Sequence, residues 1–564
     1  MKEWKQLWIK PRPITDPEGN YNGFNPSVKV LPKGYKHEKG DVTLSCDIIW
    51  ERDSKVVLRD NTAIYTDIYR PVTDEKVPAV ISWSPYGKSN VDVPWAYNEK
   101  DLSHLQKEEG VDPALWCAEG YAVAHPDARG AFMSEGNIFH WGNPEGKDIY
   151  DYVEWLAAQE WCNGQVGMAG NSYLTIAQWF GADQNPPHLK AIAPWEGQTD
   201  AYRETILQGG ISNVAFPRQA VSVMHSNNYV DDMPSMAEKY PFMNSYWEDK
   251  RAVLKNIRIP VYIVASYTNP IHTHGTFRAY REIPSKKKWL RVHNTHEWVD
   301  FYRPENQKEL LAFFDRYLKG IENNWEETPK VRYAVLNPGG VDETDLVSET
   351  FPPKNISCTK FYLEGACGNS CGGLESEPGE AAAVSYDGKD VCAGAEFRIT
   401  FQEETCIVGY PKVKLFVEAK GCHDMDLFVE IGKENKEGKL VSWDCTPHNR
   451  YQNPLLGFEG RLRASLRALD LELSSETIPV HSFEKPEYLN DGEIVEVEIP
   501  LRPLGLKWEA GETLVLRVGN EYRESIERNI QLGKANDMGM HIIHCGGDKA
   551  SYVELPVILQ SGAG

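Results

Sequence analysis

The sequence predicts an α/β protein with a mainly parallel β-sheet, a helical insertion and a separate antiparallel β-sandwich. Three observations predict this class. Short apolar segments alternate with amphipathic helical segments up to about residue 320. A segment rich in Met and aromatic residues interrupts that alternation at residues 199–255. After residue 326, apolar and polar residues alternate with period two between Gly, Asn and Pro turns.

The elements follow this order along the chain. Residues 1–45 are rich in Pro, Gly and Asn, which predicts an extended N-terminal arm. We assign the α/β domain to residues 46–198 and 256–325, the helical insertion to 199–255 and the sandwich to 326–564. Residues 365–390 are predicted to be loop because Gly, Ser and acidic residues dominate them. The predicted strands are 56–58, 63–69, 77–83, 121–124, 166–169, 189–193, 259–265 and 289–292, and the predicted helices are 147–158, 173–182 and 307–319.

Composition excludes several classes of protein. The 564 residues are too many for one hydrophobic core. A formal net charge of −22 argues against binding to nucleic acid or to an anionic membrane surface. No apolar segment reaches the roughly 18–20 residues that cross a bilayer, and the N-terminus lacks a signal-peptide core. The 11 scattered cysteines favour a cytoplasmic location. Cys367 and Cys371 lack a matching second pair, so neither a metal nor an organic cofactor is predicted.

One local motif predicts chemistry. Gly170-Asn171-Ser172 lies between a predicted strand and a predicted helix, the context of a nucleophile elbow. The small Gly170 avoids a clash within the sharp turn. Leu174 departs from the motif, because a small residue usually stands two positions after the serine. The helical insertion at 199–255 is predicted to form a lid over this site.

Further segments carry a resemblance to a known family. The chain resembles the serine hydrolases of the cocaine esterase and X-Pro dipeptidyl-peptidase class, also called CocE/NonD hydrolases, over residues 50–560. This resemblance implies an α/β-hydrolase domain with an inserted helical cap and a C-terminal jelly-roll domain. The segments that carry it are Tyr69-Arg70-Pro71, Ser84 to Lys88, Asp127 to Gly130, Ser134-Glu135-Gly136, Glu154-Trp155-Leu156, Gly167 to Tyr173 and Tyr317 to Gly320.

The resemblance also implies catalytic roles. Ser172 matches the nucleophile, whose hydroxyl needs a base to become reactive. The hydroxyl of Tyr86 and the backbone N–H of Tyr173 match the two donors of the oxyanion hole. His296 matches the general base. Other histidines in the same region are rivals for that role: His272, His274 and His293.

The third position of the triad departs from the family. Asn269 stands where the family has an aspartate. Three alternatives remain open from the sequence. Asn269 orients the histidine through its amide oxygen; or the alignment slips, and Asp200 or Asp300 supplies the carboxylate; or the protein has lost or changed its hydrolytic activity.

The predicted function is hydrolysis of an ester or amide bond in a small-molecule substrate through an acyl-enzyme intermediate. The residues do not specify which ester or amide. Two alternatives are transfer of the acyl group to an acceptor other than water, and a non-catalytic binding protein on the same fold. The predicted partner is the small-molecule substrate, with no nucleic acid and no membrane, and a homodimer is left open.

Overall fold

A computed structural model describes residues 4–38, 42–88, 102–365, 371–442, 457–523 and 539–559. In these residues the chain forms two large sheets, and helices surround the first. The strands up to residue 348 are β1 (Trp8–Ile9), β2 (Ser27–Leu31), β3 (Ile48–Val57), β4 (Ala63–Pro71), β5 (Val77–Ile81), β6 (Ala122–Asp127), β7 (Cys162–Asn171), β8 (Leu189–Trp195), β9 (Val230–Asp231), β10 (Val261–Ser266), β11 (Lys288–His293), β12 (Val331–Val335) and β13 (Glu343–Ser348).

The first sheet has the strand order β13-β12-β11-β10-β8-β7-β5-β6-β4-β3-β2 across the described residues. Strands β12 to β6 in that order are parallel, and the strands at both edges are antiparallel. Every residue of β5 and β10 is buried. Strands that are apolar throughout need cover on both faces, which explains the helical layers. β12 and β13 extend this sheet past residue 325, the predicted end of the α/β domain.

The helices include the segments that flank the candidate site. α3 begins directly after Ser172, and α7 and α8 follow β10 and β11. None of the helices in the described ranges has the length and apolar composition needed to cross a membrane. The helices are α1 (Pro113–Ala118), α2 (Asn143–Ala157), α3 (Tyr173–Asp183), α4 (Ala215–Ser222), α5 (Met233–Lys239), α6 (Ser245–Asp249), α7 (Thr273–Glu282), α8 (Glu297–Tyr302) and α9 (Pro304–Phe314).

The inserted segment is helical, and the N-terminal arm contacts it. α4, α5 and α6 lie within the insertion. β1 of the arm pairs antiparallel with β9 of the insertion, with Trp8 opposite Asp231. β2 of the arm pairs with β3 and forms the edge of the first sheet. The arm therefore ties the helical cap to the sheet.

The C-terminal part is built from strands, which confirms the predicted class of an α/β-hydrolase domain with an inserted cap and a C-terminal jelly roll. Two of its strands, β15 and β16, form within residues 365–390, where a loop is predicted. The strands are β14 (Ile356–Gly365), β15 (Cys371–Glu375), β16 (Ala382–Asp387), β17 (Gly394–Thr400), β18 (Thr405–Gly409), β19 (Lys412–Lys420), β20 (Asp426–Glu434), β21 (Leu440–Val441), β22 (Phe458–Arg463), β23 (Ile494–Pro500), β24 (Leu504–Trp508), β25 (Thr513–Gly519), β26 (Met540–Cys545) and β27 (Tyr552–Ile558).

Candidate active site

The turn between β7 and α3 carries Ser172 at its tip. Ser172 has φ 56° and ψ −114°, a conformation that non-glycine residues rarely adopt. Its backbone N–H donates to the carbonyl oxygens of Trp195, at 3.2 Å, and Glu196, at 3.0 Å, at the end of β8. These bonds hold the turn against the neighbouring strand. Ser172 therefore lies at the carboxyl edge of the parallel strands, in the backbone setting of a nucleophile elbow.

Gly170 makes room for the large residue that follows the serine. Gly170 has φ 138°, and a Cβ atom built on it would lie 2.5 Å from Cδ2 of Leu174. The same Cβ would lie 3.0 Å from the carbonyl oxygen of Glu109. Such contacts are too short for real side chains. The absent side chain at Gly170 thus lets the turn accommodate Leu174, the residue that departs from the motif.

The imidazole that reaches this serine belongs to His272. Its Nε2 atom lies 3.0 Å from Oγ of Ser172. His272 immediately precedes α7 and is only 2% exposed. Burial lowers its pKa to about 3. The ring is therefore neutral near pH 7 and can accept the proton of the serine hydroxyl.

Asn269 supports the segment that carries His272. Its Oδ1 accepts the backbone N–H groups of Ile271, at 2.9 Å, and His272, at 3.2 Å. Its Nδ2 donates to Oε2 of Glu297 at 2.9 Å. That same carboxylate oxygen lies 3.9 Å from Nε2 of His272. The amide of Asn269 is therefore bonded to the His272 backbone and to Glu297.

His296 makes different contacts. It precedes α8, and its Nδ1 accepts the backbone N–H of Trp298 at 3.2 Å. Its ring packs on the indole of Trp298, with centroids 4.8 Å apart. Burial, with a smaller contribution from His293, lowers the pKa of His296 to about 4. Within the described residues, the imidazole within hydrogen-bond distance of the Ser172 hydroxyl is that of His272, and no hydrogen bond joins Ser172 to His296.

The other candidate histidines and the two candidate aspartates form contacts with residues other than Ser172. Nε2 of His293 is 2.6 Å from Oε1 of Glu196, and Nε2 of His274 is 3.1 Å from Nε2 of Gln208. Asp200 pairs with Arg203 at 3.0 Å. Asp300 pairs with Arg291 and accepts the indole N–H of Trp195 at 3.0 Å. Asp200 and Asp300 thus both pair with arginines. Among the described residues, the carboxyl within 4 Å of a ring nitrogen of His272 is that of Glu297.

The two residues assigned to the oxyanion hole are neighbours. The rings of Tyr86 and Tyr173 meet edge to face, with centroids 5.4 Å apart. The hydroxyl of Tyr173 donates to Glu145, 3.1 Å from each carboxylate oxygen, and its backbone N–H at the turn faces the carboxyl of Glu109. Burial raises the pKa of Tyr86 well above its ordinary value, and nearby carboxylates led by Glu109 raise it further. Tyr86 therefore keeps its hydroxyl proton and can donate a hydrogen bond.

Comparisons with known proteins agree with this architecture. The X-Pro dipeptidyl-peptidase (S15 family) profile matches residues 60–230, and the X-Pro dipeptidyl-peptidase C-terminal non-catalytic domain profile matches residues 323–554. A cocaine esterase from Rhodococcus is 36% identical over 592 aligned residues, covering 89% of this chain and 97% of that protein. The chain belongs to the cocaine esterase and X-Pro dipeptidyl-peptidase class of serine hydrolases.

Solved structures support the same assignment. A CocE/NonD family hydrolase from Staphylococcus aureus is 32% identical and superposes with a TM-score of 0.86, covering 95% of this chain and 98% of that one. An α-amino acid ester hydrolase superposes with a TM-score of 0.67 at 16% identity, covering 93% and 98% of the two chains. The second likeness concerns the fold alone. This serine hydrolase is thus an enzyme with the domain architecture of its class.

Glu109 lies beside the turn that carries Ser172, and the sequence motifs did not identify it as a candidate residue. It is 5% exposed and has φ 62°, the left-handed region that favours glycine. Its Oε1 accepts the indole N–H of Trp298 at 2.8 Å. Burial raises its pKa well above the ordinary range and the charge of Glu108 adds to this, while hydrogen bonding from Trp298, the Ser172 hydroxyl and the Tyr173 N–H opposes the rise. No sequence motif marks this residue, because only the fold brings it to the elbow.

No metal centre is evident in the part of the chain that the structure describes: no three His, Cys, Asp or Glu side chains there are grouped to hold an ion. Cys367, one of the two cysteines considered as ligands, lies outside the described residues. Cys371 is exposed at the start of β15.

Proposed function

We propose that this protein hydrolyses an ester or amide bond of a small-molecule substrate through an acyl-enzyme on Ser172, with His272 as the general base. The observation that carries the proposal is the 3.0 Å contact between Oγ of Ser172 and Nε2 of His272 at the tip of the elbow. A nucleophile and base at hydrogen-bond distance are the minimum for covalent catalysis by serine. Burial lowers the pKa of His272 to about 3, so the free imidazole is unprotonated at neutral pH, as a general base must be.

In the proposed reaction, Oγ of Ser172 bonds to the carbonyl carbon while its proton moves to Nε2 of His272. The substrate oxygen becomes negative and accepts hydrogen bonds from the Tyr173 N–H and the Tyr86 hydroxyl. The intermediate collapses, the bond to the leaving group breaks, and His272 returns the proton to that group. Water then attacks the acyl-enzyme by the same steps, which frees the carboxylic acid and Ser172.

Asn269 has a positioning role in this proposal. It bonds the backbone of His272 through its oxygen and Glu297 through its nitrogen. A neutral amide cannot stabilise the positive imidazolium by charge. The Glu297 carboxyl, 3.9 Å from Nε2 of His272, is the acidic group closest to that ring among the ion pairs described. Within the described residues, Nδ1 of His272 has no hydrogen-bond partner, so Asn269 and Glu297 position the segment that carries His272 and do not hold its ring as the aspartate of a triad does.

The identity of the base is tested by two matched variants. His272→Gln should lower kcat by at least about a thousandfold, because members of a triad act as a unit. His296→Gln should have a much smaller effect, since its imidazole serves the start of α8. The reverse order of effects would return the role of base to His296, as the family resemblance implies. Ser172→Ala and labelling by a fluorophosphonate test the nucleophile in the same preparation.

An ester is the first substrate class to test, because a relative that aligns with 89% of this chain is a cocaine esterase. A panel of p-nitrophenyl esters, aminoacyl amides and lactones would separate ester from amide hydrolysis. Added alcohols or amines would reveal acyl transfer, since the acyl group would then appear on the added acceptor. Turnover that persists unchanged in Ser172→Ala would contradict the proposed acyl-enzyme.

A further inference from the structure

A cavity lies between the cap, α7 and the jelly-roll domain. Its volume is about 130 Å³, and none of the residues proposed for catalysis lines it. The three parts of the protein each contribute arginine side chains. Arg203 and Arg251 come from the insertion, Arg278 and Arg281 from α7, and Arg461 from β22. Five guanidinium groups in one cavity are unusual in a chain with a net charge of −22.

Carboxylates in the cavity neutralise only part of this charge. Asp200 pairs with Arg203 at 3.0 Å. Arg278 pairs with Glu282 at 2.7 Å and lies 3.6 Å from Glu204. These three are the acidic residues in the lining, and Glu248 outside it lies 3.9 Å from Arg203 and 3.8 Å from Arg251. Four carboxylates therefore face five arginines, which leaves one formal positive charge in excess. The excess favours an anion from outside the chain.

Arg461 and Arg281 hold that excess charge. Arg461 is 6% exposed, and its Nε donates to the carbonyl oxygen of Gln208 at 3.0 Å. The guanidinium of Arg281 lies 4.9 Å from the centre of the Tyr410 ring. Within the described ranges, neither arginine forms an ion pair with a carboxylate. Arg281 is exposed, whereas the charge of Arg461 is buried. A buried charge without a counter-ion is costly, so an external anion that reaches Arg461 would stabilise this arrangement.

The jelly-roll side of the cavity is apolar. Leu473, Ile478, Val480 and Phe483 belong to its lining. We propose that the cavity binds a small organic carboxylate, whose anionic group pairs with Arg461 and Arg281 and whose apolar body packs on this wall. Carboxylates match the planar fork of guanidinium groups, and the apolar wall selects against inorganic anions.

His274 supports a positive potential at the site. It lines the same cavity, and burial together with the positive charges of Arg502, Arg281 and Arg461 lowers its pKa to about 3. His274 also follows His272 by two residues on α7. The proposed carboxylate therefore contacts the helix that begins beside the candidate base, although none of the residues proposed for catalysis lines its cavity.

Benzoate and its neutral analogue benzamide test the proposal on the full chain. Benzoate should bind saturably by calorimetry and raise the Tm, whereas benzamide and inorganic phosphate should bind at least about 10-fold more weakly. Arg281→Gln and Arg461→Met should each weaken benzoate binding by about 10-fold or more. Without benzoate, Arg461→Met should be as stable as wild type or more stable, because it removes an unpaired buried charge. Arg218→Gln, an exposed arginine paired with Glu238, is the matched control.

Three results would overturn the proposal: equal binding of benzoate and benzamide, unchanged binding in both cavity variants, or loss of binding after a fluorophosphonate occupies Ser172. The last result would assign benzoate to the catalytic pocket. Failure of the fluorophosphonate to label the protein would contradict the proposed function instead. In that case, the loss or retention of benzoate binding in Arg281→Gln and Arg461→Met still tests the cavity proposal.

Discussion

Substitution of Glu109 by Gln should abolish the fall of kcat/KM that we expect for the wild-type enzyme at high pH. Burial raises the pKa of this carboxyl, so the wild-type side chain is neutral near its unperturbed titration range and ionises only at higher pH. Once ionised, it places a negative charge beside the proposed oxyanion donor, the Tyr173 N–H. Two unit charges about 4 Å apart repel by about 4 kcal/mol at an effective dielectric constant of about 20. That energy corresponds to roughly 10²–10³ in rate.

The assay is kcat/KM for a p-nitrophenyl ester against pH, which reports groups of the unliganded enzyme. Wild type should lose activity as pH rises through the raised pKa of Glu109. Glu109→Gln should keep its plateau, because an amide does not ionise. Glu108→Gln is the comparison: it should keep the loss of activity but move it to lower pH, because the charge of Glu108 contributes to the raised pKa of Glu109. Superimposable profiles for wild type and Glu109→Gln, or loss of activity in that variant at every pH, would refute this reasoning.

Three further substitutions test the site. Tyr86→Phe should lower kcat by roughly 10²–10³ with little change in KM, and a pure KM effect would make Tyr86 a binding or packing residue. Gly170→Ala should lower the free energy of unfolding by about 1–3 kcal/mol more than Gly164→Ala in denaturant titration, because both have positive φ but only the first meets Leu174. Asn269→Asp should lower kcat, since it replaces the donor to Glu297 with a second carboxylate; a rise in kcat would contradict the contacts described for Asn269.

Acid should destabilise the protein through its buried histidines. Burial lowers the pKa values of His125 and His272 to about 3, below the ordinary value of 6.5. Between those limits the unfolded chain binds protons that the folded chain does not, so stability falls as pH falls from about 6.5 towards 3. Denaturant titrations across this range should show the loss, with a smaller slope in His125→Gln. A stability that stays constant on acidification would contradict the burial of neutral imidazoles.

The elbow could be predicted from the sequence because its determinants are local. An apolar strand, Gly170, Ser172 and a helical segment follow one another, so no long-range contact is needed to recognise them. The parallel sheet could also be predicted, because strands that are buried on both faces are apolar along their whole length. The strand β15 was not predictable, since its five residues include two glycines and gain their order from pairing with β14.

The choice of base depends on contacts that sequence order does not show. β10 and β11 are parallel neighbours, with Ser266 opposite His293, so the segments after both strands end at the same edge of the sheet. That edge also holds Ser172, and histidines from either segment are placed to approach it. The proposal of His272 rests on hydrogen bonds: Nε2 of His272 lies 3.0 Å from Oγ of Ser172, whereas the ring of His296 bonds the first turn of α8. An asparagine in place of an aspartate therefore fits a base that comes from the segment Asn269 itself supports.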